Sequence, residues 1–247
     1  IDSSSAFRGD PSIPLVIPEI NPHSLAQHRG IIASPNCTTS IMLMVLAPLH
    51  RKAKIGRIVA ATYQAASGAG ASAMKELREE TQAFLSDEAY TRTMMPFPYA
   101  FNLFPHNSPL LENGYVEEEM KMVHETRKIL EDPSIQVTAT CVRVPVLRAH
   151  SMALNVEFSD KITLDEIYAL LMKAPGVTIL EDRKSNRFPM PLDASEMETV
   201  YCGRIRKDLT QPNTFEFWVV GDQLLKGAAL NAVQIAEFIL APKSASR

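Results

Sequence analysis

The sequence has only three cysteines, Cys37, Cys141 and Cys202, among 247 residues. So few, and an odd number, excludes a disulfide framework and predicts a reducing compartment. No apolar run reaches the roughly 20 residues that cross a bilayer; the longest, Ile41 to Leu49, is about half that and contains Pro48. Neither sign of charge is in excess: 25 Lys and Arg against 28 Asp and Glu leave a net charge of −3. Bulk electrostatics therefore gives no hold on nucleic acid or an anionic membrane, and small anions would have to be held by local cationic clusters. Metal-ligand spacing and a P-loop are both missing, and Gly68-Ala69-Gly70 is not a dinucleotide fingerprint. There is no visible signal peptide, internal repeat or low-complexity tract.

What is present is ordinary globular material, 46% apolar and 21% charged. Residues 1–30 hold one short apolar strand, Ile13 to Ile17, among Pro, Ser and Asp, and the chain begins with Ile1. This stretch reads as the last strand and exit loop of a domain that starts upstream. Next comes "PNCTTSIMLMVLAPL", a helix capped by Asn36 or Ser34 and apolar on all sides, which predicts burial. Pro48 is expected to kink or end it. Strands are expected over 54–64, 134–147, 150–158, 176–181, 199–206 and 214–220. Amphipathic helices are expected after the small-residue turn at 65–71 and over 116–132 and 164–173, with a long final helix over 222–241. Residues 86–115, with four prolines, read as loop. The alternation predicts an α+β or mixed α/β domain.

Cys37 sits in the first turn of the buried helix, where free N–H groups and the dipole favour thiolate. The plain alternative is a small buried hydrophobe. His150, in "RVPVLRAHS", stands at a strand junction, where it could act as an acid–base or as a hydrogen-bonded loop residue. His124 is its rival but lies in a charged helix. Arg143 interrupts an apolar strand and shares a face with Ala139, Cys141 and Pro145, none of which can neutralise it. A carboxylate clamp and an internal ion pair are equally good accounts. Gln64 at a strand end could position a substrate. Glu118 and Lys121, three apart on a helix, read as a solvated salt bridge.

Six stretches in order, "SSAFR", "PNCTT", "TYQAASGAG", "EEEMKMVHETRKIL", "TCVRVPVLRAHS" and "KGAALNAVQIAE", resemble the aspartate-semialdehyde dehydrogenases in their bacterial and plant-like form. The resemblance implies an α/β protein. Its catalytic domain would be of the glyceraldehyde-phosphate-dehydrogenase-like type, a mixed sheet with flanking helices, joined to a remnant of an NADP-binding Rossmann domain. The divisions implied are 1–36, the Rossmann tail; 37–226, catalytic and dimerising; and 227–247, a helix packing back on the nucleotide domain. By the same resemblance Cys37 is the nucleophile, His150 the acid–base, and Gln64 positions the reacting centre. Arg143 clamps the substrate α-carboxylate, with Glu118 near its amino group. Arg8, Asn36 and Lys121 hold phosphate, and Ser67, Gly68 and Asn231 contact the cofactor. No metal is implied. The reaction is reduction of L-aspartyl-4-phosphate to L-aspartate 4-semialdehyde through a cysteine thioester, in lysine, threonine, methionine and isoleucine biosynthesis. Partners would be that substrate, phosphate and further copies of the chain, as a homodimer or homotetramer. The compartment would be cytoplasm, or plastid stroma in a plant.

The family's glycine-rich loop does not occur in these residues, so the chain reads as the catalytic portion of a longer protein. N-acetyl-glutamyl-phosphate reductase shares the fold and chemistry, but Arg143 and Glu118 favour an unblocked amino acid. A glyceraldehyde-phosphate dehydrogenase accounts for the Cys-Thr-Thr start and not for the other five stretches. A non-catalytic dimerising fragment is the reading from another class. The sequence-based expectation separating it from an enzyme is that Cys37 titrates below the ordinary thiol value of about 8.5, as read by alkylation against pH.

Overall fold

In the computed structural model, which describes residues 1–241, the chain is built around one buried helix, α1 (Cys37–Lys52). The Asn36 side-chain oxygen accepts the N–H groups of Thr38 at 3.0 Å and Thr39 at 3.4 Å. Such a cap contributes about 1 kcal/mol. Every side chain from Thr38 to Ala47 is buried, because α1 lies between the sheet and helices α3 (Glu117–Ile129) and α4 (Leu164–Leu171). Pro48 does not end it: the helix runs on to Lys52, and Ala53 N–H closes on Leu49 at 2.8 Å. Burial of Leu49 and His50, whose Nδ1 accepts Ile55 N–H at 3.1 Å, holds the last turn despite the lost proline donor.

The sheet has seven strands: β1 (Ile55–Gln64), β2 (Phe104–Pro105), β3 (Gln136–Arg143), β4 (His150–Phe158), β5 (Val177–Ile179), β6 (Val200–Lys207) and β7 (Thr214–Gly221). Their order is β2-β3-β1-β4-β7-β6-β5, parallel for β1/β3 and β5/β6 and antiparallel elsewhere. This is the mixed sheet with flanking helices expected from the sequence. The alternating pattern turns Ile58, Ala60, Met152, Leu154, Phe215 and Phe217 inward onto α1. The opposite face carries small and polar groups such as Ala61, Thr140, Ala153 and Asn155, with Tyr63 and Trp218 5.7 Å apart.

The topology brings four strand ends to one edge. Parallel pairing sets Gln64, the end of β1, opposite Arg143, the end of β3. Antiparallel β4 starts there at His150, which faces Gly221 at the end of β7. The start of α1 lies over the same edge: a Cβ on Gly221 would meet Ile41 at 3.0 Å.

Three local expectations are corrected. Residues 13–17 form no strand, only isolated bridges from Leu15 and Asp2 to Ala33. The final helix opens with a π turn, Leu225–Ala229, before α6 (Leu230–Leu240). Residues 242–247, the end of the expected 227–247 segment, lie outside the described residues. The proline-rich loop contains β2 and is tied down by α2 (Ala71–Leu85), the helix expected after the small-residue turn. Glu76 on α2 accepts the N–H groups of Thr93, Met94 and Met95 at 2.6–2.8 Å, and Glu80 those of Tyr99 and Ala100. Completing this chain of elements is α5 (Pro191–Ala194) beside β7.

Burial alone would raise the Glu76 carboxyl, but its N–H partners and the Thr93 hydroxyl outweigh that and hold it below 4.5. Its contribution is therefore complete above 4.5 and lost as pH falls through the lower, folded value. Glu76→Ala should cost on the order of 3 kcal/mol and speed proteolysis within 92–100 at pH 7. Loss of that difference from wild type in acid, in melts and limited digestion, checks the account.

Candidate active site

Cys37 is the first residue of α1 and is only partly buried, whereas Cys141 and Cys202 are fully buried. The π turn presses on it: a Cβ on Gly227 would lie 2.7 Å from Cys37 Cβ and 3.0 Å from its Cα. Only glycine allows that approach. Cys37 opens into a cleft of about 330 Å³. Arg8, Asn36, Gln64, Ser67, Gly68, Glu118, Lys121 and Arg143, all singled out from the sequence, line it too. A larger open groove of about 960 Å³ runs between residues 5–11 and α3 and shares Ser5, Arg8 and Lys121, but no cysteine lines it.

Glu118 is not a solvated surface residue. It is 6% exposed, and its carboxylate accepts from Asn36 Nδ2 at 2.9 Å, Gln64 Nε2 at 3.1 Å and Lys121 Nζ at 3.2 Å. Burial alone would raise its pKa. Lys121, the two amides and, where protonated, His106 outweigh that and hold it near 2. Glu118 is therefore a fixed negative charge at neutral pH. The i,i+3 bridge to Lys121 exists, but it is directed inward.

Arg8 stands at the other side, its Nε donating to Ser34 O at 2.9 Å and Nη2 to Ser3 O at 2.7 Å. Its Nη1 lies 3.4 Å from Glu125, which also accepts Asn36 N–H at 2.7 Å. Glu125 follows Glu118 by seven residues, so helical spacing could have found it. The sequence reading passed over it.

Arg143 is 6% exposed and, among the described residues, has no carboxylate partner. Its Nη1 donates to Ala65 O at 3.2 Å and Nη2 to His106 Nε2 at 2.9 Å, while Nε is buried with no partner. The internal ion pair left open by the sequence is thereby excluded for the described residues.

His150 is fully buried beneath Gly68, whose Cβ would lie 2.9 Å from Nε2 and 3.0 Å from Arg143 Nη1. Ala65 N–H donates to Nδ1 at 3.0 Å. That bond assigns the ring proton to Nε2, which is buried with no partner among the described residues. Burial, then Arg143, pushes the pKa down to about 3, so the imidazole stays neutral. Ser67 bonds Gln223, which in turn accepts Ala149 N–H at 3.1 Å. Neither Gln223 nor His106 carried a sequence signal.

Two of the selected residues do not line the cleft: His150, fully buried beneath Gly68, and Asn231. Asn231 is fully buried, its Nδ2 donating to Val16 O and Ser34 Oγ and its Oδ1 accepting from Lys226. It ties α6 to the 1–36 segment, and this network occupies its amide.

The expected thiol acidity is corrected. Burial first, then the charge of Glu118, pushes Cys37 up to about 12. Arg143 and the Thr38 N–H act the other way and are outweighed. The helix-mouth argument counted the N–H groups and omitted the facing carboxylate, so thiol acidity in the free chain does not separate an enzyme from an inert fragment.

Residues 46–226 match the family of semialdehyde dehydrogenase dimerisation domains. The aspartate-semialdehyde dehydrogenase of Synechocystis sp. is 54% identical over 240 residues, covering 97% of this chain and 71% of the relative. Aspartate semialdehyde dehydrogenase II of Vibrio cholerae, complexed with ASA, superposes with a TM-score of 0.94 at 40% identity, covering 98% of this chain and 72% of that one. The chain belongs to the aspartate-semialdehyde dehydrogenases. Its fold also extends to the Candida albicans aspartate semialdehyde dehydrogenase with NADP, at 23% identity and a TM-score of 0.73, over 97% of this chain and 70% of that one.

The approach of Gly227 to Cys37 leaves no room for a side chain at 227. Gly227→Ala should lower turnover at least about tenfold while costing about 1–3 kcal/mol by overpacking; kcat and melting temperature together check this. Glu118→Gln removes one of the two causes that raise the thiol. Its alkylation profile should move to lower pH, and an unmoved profile would leave burial as the sole cause.

Proposed function

We propose that this chain carries the catalytic half of an NADP-dependent, phosphate-linked oxidation of L-aspartate 4-semialdehyde, running in biosynthesis as reduction of L-aspartyl-4-phosphate. The observation that carries the reading is charge. A buried guanidinium without a carboxylate and a buried, ionised carboxylate share one cleft with the cysteine. An α-amino acid brings the opposite pair, a carboxylate for Arg143 and an ammonium for Glu118. An N-acetylated substrate has no ammonium to offer. Seating the ammonium also offsets the charge that holds the Cys37 thiol up.

In the biosynthetic direction Cys37 Sγ attacks the acyl-phosphate carbonyl carbon. A C–S bond forms, the bond from the acyl carbon to the phosphate oxygen breaks, and the thiol proton leaves with the departing phosphate to give a thioester. Arg8 and Lys121, with Asn36 beside them, hold that phosphate. Gln64 orients the reacting carbonyl from the end of β1. His150 donates Nε2–H to the carbonyl oxygen as a neutral imidazole, since a second proton would face the Ala65 N–H. Collapse of the reduced adduct breaks the C–S bond and returns Cys37.

NADPH, when bound, supplies the hydride that reduces the thioester. The wall made by Ser67, Gly68, Gly227 and Ala228 is backbone and small side chains, which suits the flat nicotinamide against Cys37. Asn231 contributes through its strap between α6 and residues 1–36. That strap supports grouping 1–36 and the described part of 227–247 with the nucleotide-binding part and 37–226 as catalytic. A homodimer or homotetramer completes the reading, supported by the half-buried outer sheet face. A bacterial cytoplasm or a plastid stroma suits it. Among the described residues, no helix is long and apolar enough to cross a membrane.

The test uses the full-length enzyme, L-aspartate 4-semialdehyde and NADP. Absorbance from NADPH should rise only with phosphate present. A preference for N-acetyl-glutamate semialdehyde would overturn the substrate assignment. Arg143→Leu should raise the semialdehyde KM by about two orders of magnitude, for loss of a charge-assisted pair of about 2–3 kcal/mol. An unchanged KM would remove the clamp.

A further inference from the structure

The two-residue edge strand β2 sets a histidine against the carboxylate clamp. Phe104 pairs with Arg143 and Pro105 with Val142, and His106 N–H donates to Cys141 O at 2.8 Å. The His106 ring is thereby brought to Arg143, whose Nη2 lies 2.9 Å from Nε2. A guanidinium has only donors, so Nε2 turns a lone pair toward Arg143; at the other ring nitrogen, Nδ1, the Ser108 N–H lies at 3.2 Å. Nδ1 lies 3.1 Å from Ser108 Oγ. The same oxygen accepts Glu118 N–H, in the first turn of α3, at 3.1 Å. One ring thus touches Arg143 directly and reaches the backbone of Glu118 through one hydroxyl. Burial, then Arg143, lowers its pKa to about 4, so the ring is neutral at neutral pH.

Without His106 the Arg143 guanidinium would keep, among the described residues, a single protein partner, the Ala65 carbonyl at 3.2 Å. A long side chain held at one point loses its orientation, and bidentate recognition depends on orientation. We propose that His106 is a positioning residue for the amino-acid end of the substrate: it fixes the angle of the Arg143 guanidinium and the spacing between Arg143 and Glu118. Both groups line one cleft, where an α-carboxylate would meet Arg143 and an α-ammonium Glu118. The proposal rests on the reading of Arg143 as the clamp.

The experiment is steady-state kinetics of the full-length enzyme in the phosphate-dependent direction, with the KM for L-aspartate 4-semialdehyde and for phosphate measured separately. His106→Leu should raise the semialdehyde KM about tenfold or more, for one lost charge-assisted hydrogen bond, and leave the phosphate KM within about twofold. His106→Gln places an amide oxygen where Nε2 accepts and should recover most of the loss. His106→Glu sets a carboxylate on the guanidinium and should raise the semialdehyde KM further than leucine does. A purely structural role predicts that both Michaelis constants move together, or that Gln is no better than Leu; either result overturns the proposal. Should the leucine variant fail to fold, the order Gln before Glu decides in the same way. Arg143→Leu, run alongside, separates the two readings. If it leaves the semialdehyde KM unmoved, the clamp falls and His106 with it. If it raises that KM while the His106 variants do not, His106 alone falls.

Discussion

A single buried carboxylate holds this site together. Glu118 receives donors from three places far apart in the chain: the cap of α1, the end of β1 and the next turn of its own helix. A buried charge without such partners would cost several kcal/mol. With them, it fixes the start of the cysteine helix against the sheet edge and α3. The arrangement has a cost in reactivity. The same negative charge, added to burial, opposes ionisation of Cys37. Assembly and nucleophilicity therefore pull in opposite directions until a second cation joins Lys121 beside Glu118, and in the proposed reaction that cation is the substrate's ammonium.

The second constraint is topological. Parallel β1 and β3 end together, antiparallel β4 begins beside them, and β7 ends opposite β4. A glutamine, an arginine and a histidine separated by up to 86 positions thus meet without any loop having to place them. The loops add the fine adjustment. Gly68 lies directly over His150 and Arg143, and Gly227 lies against Cys37. At both positions one extra carbon would crowd those side chains.

Much of this was legible from residues 31–50 and from the strand patterns. The capped, wholly apolar helix, the strand ending at Gln64 and the strand from His150 to Phe158 were all readable by period and capping. The isolated arginine in β3 was readable as a charge in need of a partner. Other features were not. Pro48 signals a helix end, but tertiary burial overrode it. Helical periodicity does not distinguish a π turn, so the approach of Gly227 to Cys37 was hidden. Glu118 and Lys121 have the spacing of a surface salt bridge, and only burial shows otherwise. His106 sits in a proline-rich stretch with no period, and its role comes from a two-residue pairing with β3. Thiol acidity was misjudged because the N–H groups at a helix start are local in sequence, whereas the opposing carboxylate is 81 positions away.

The central claim is that carbon passes through a covalent bond to Cys37. Its most direct test is peptide mass spectrometry of the full-length enzyme after exposure to L-aspartate 4-semialdehyde and NADP with phosphate withheld. The account predicts an aspartyl group on the peptide containing Cys37, removed when phosphate is added. An unmodified Cys37 under conditions where NADPH has formed, or an aspartyl group on any other residue, would contradict it.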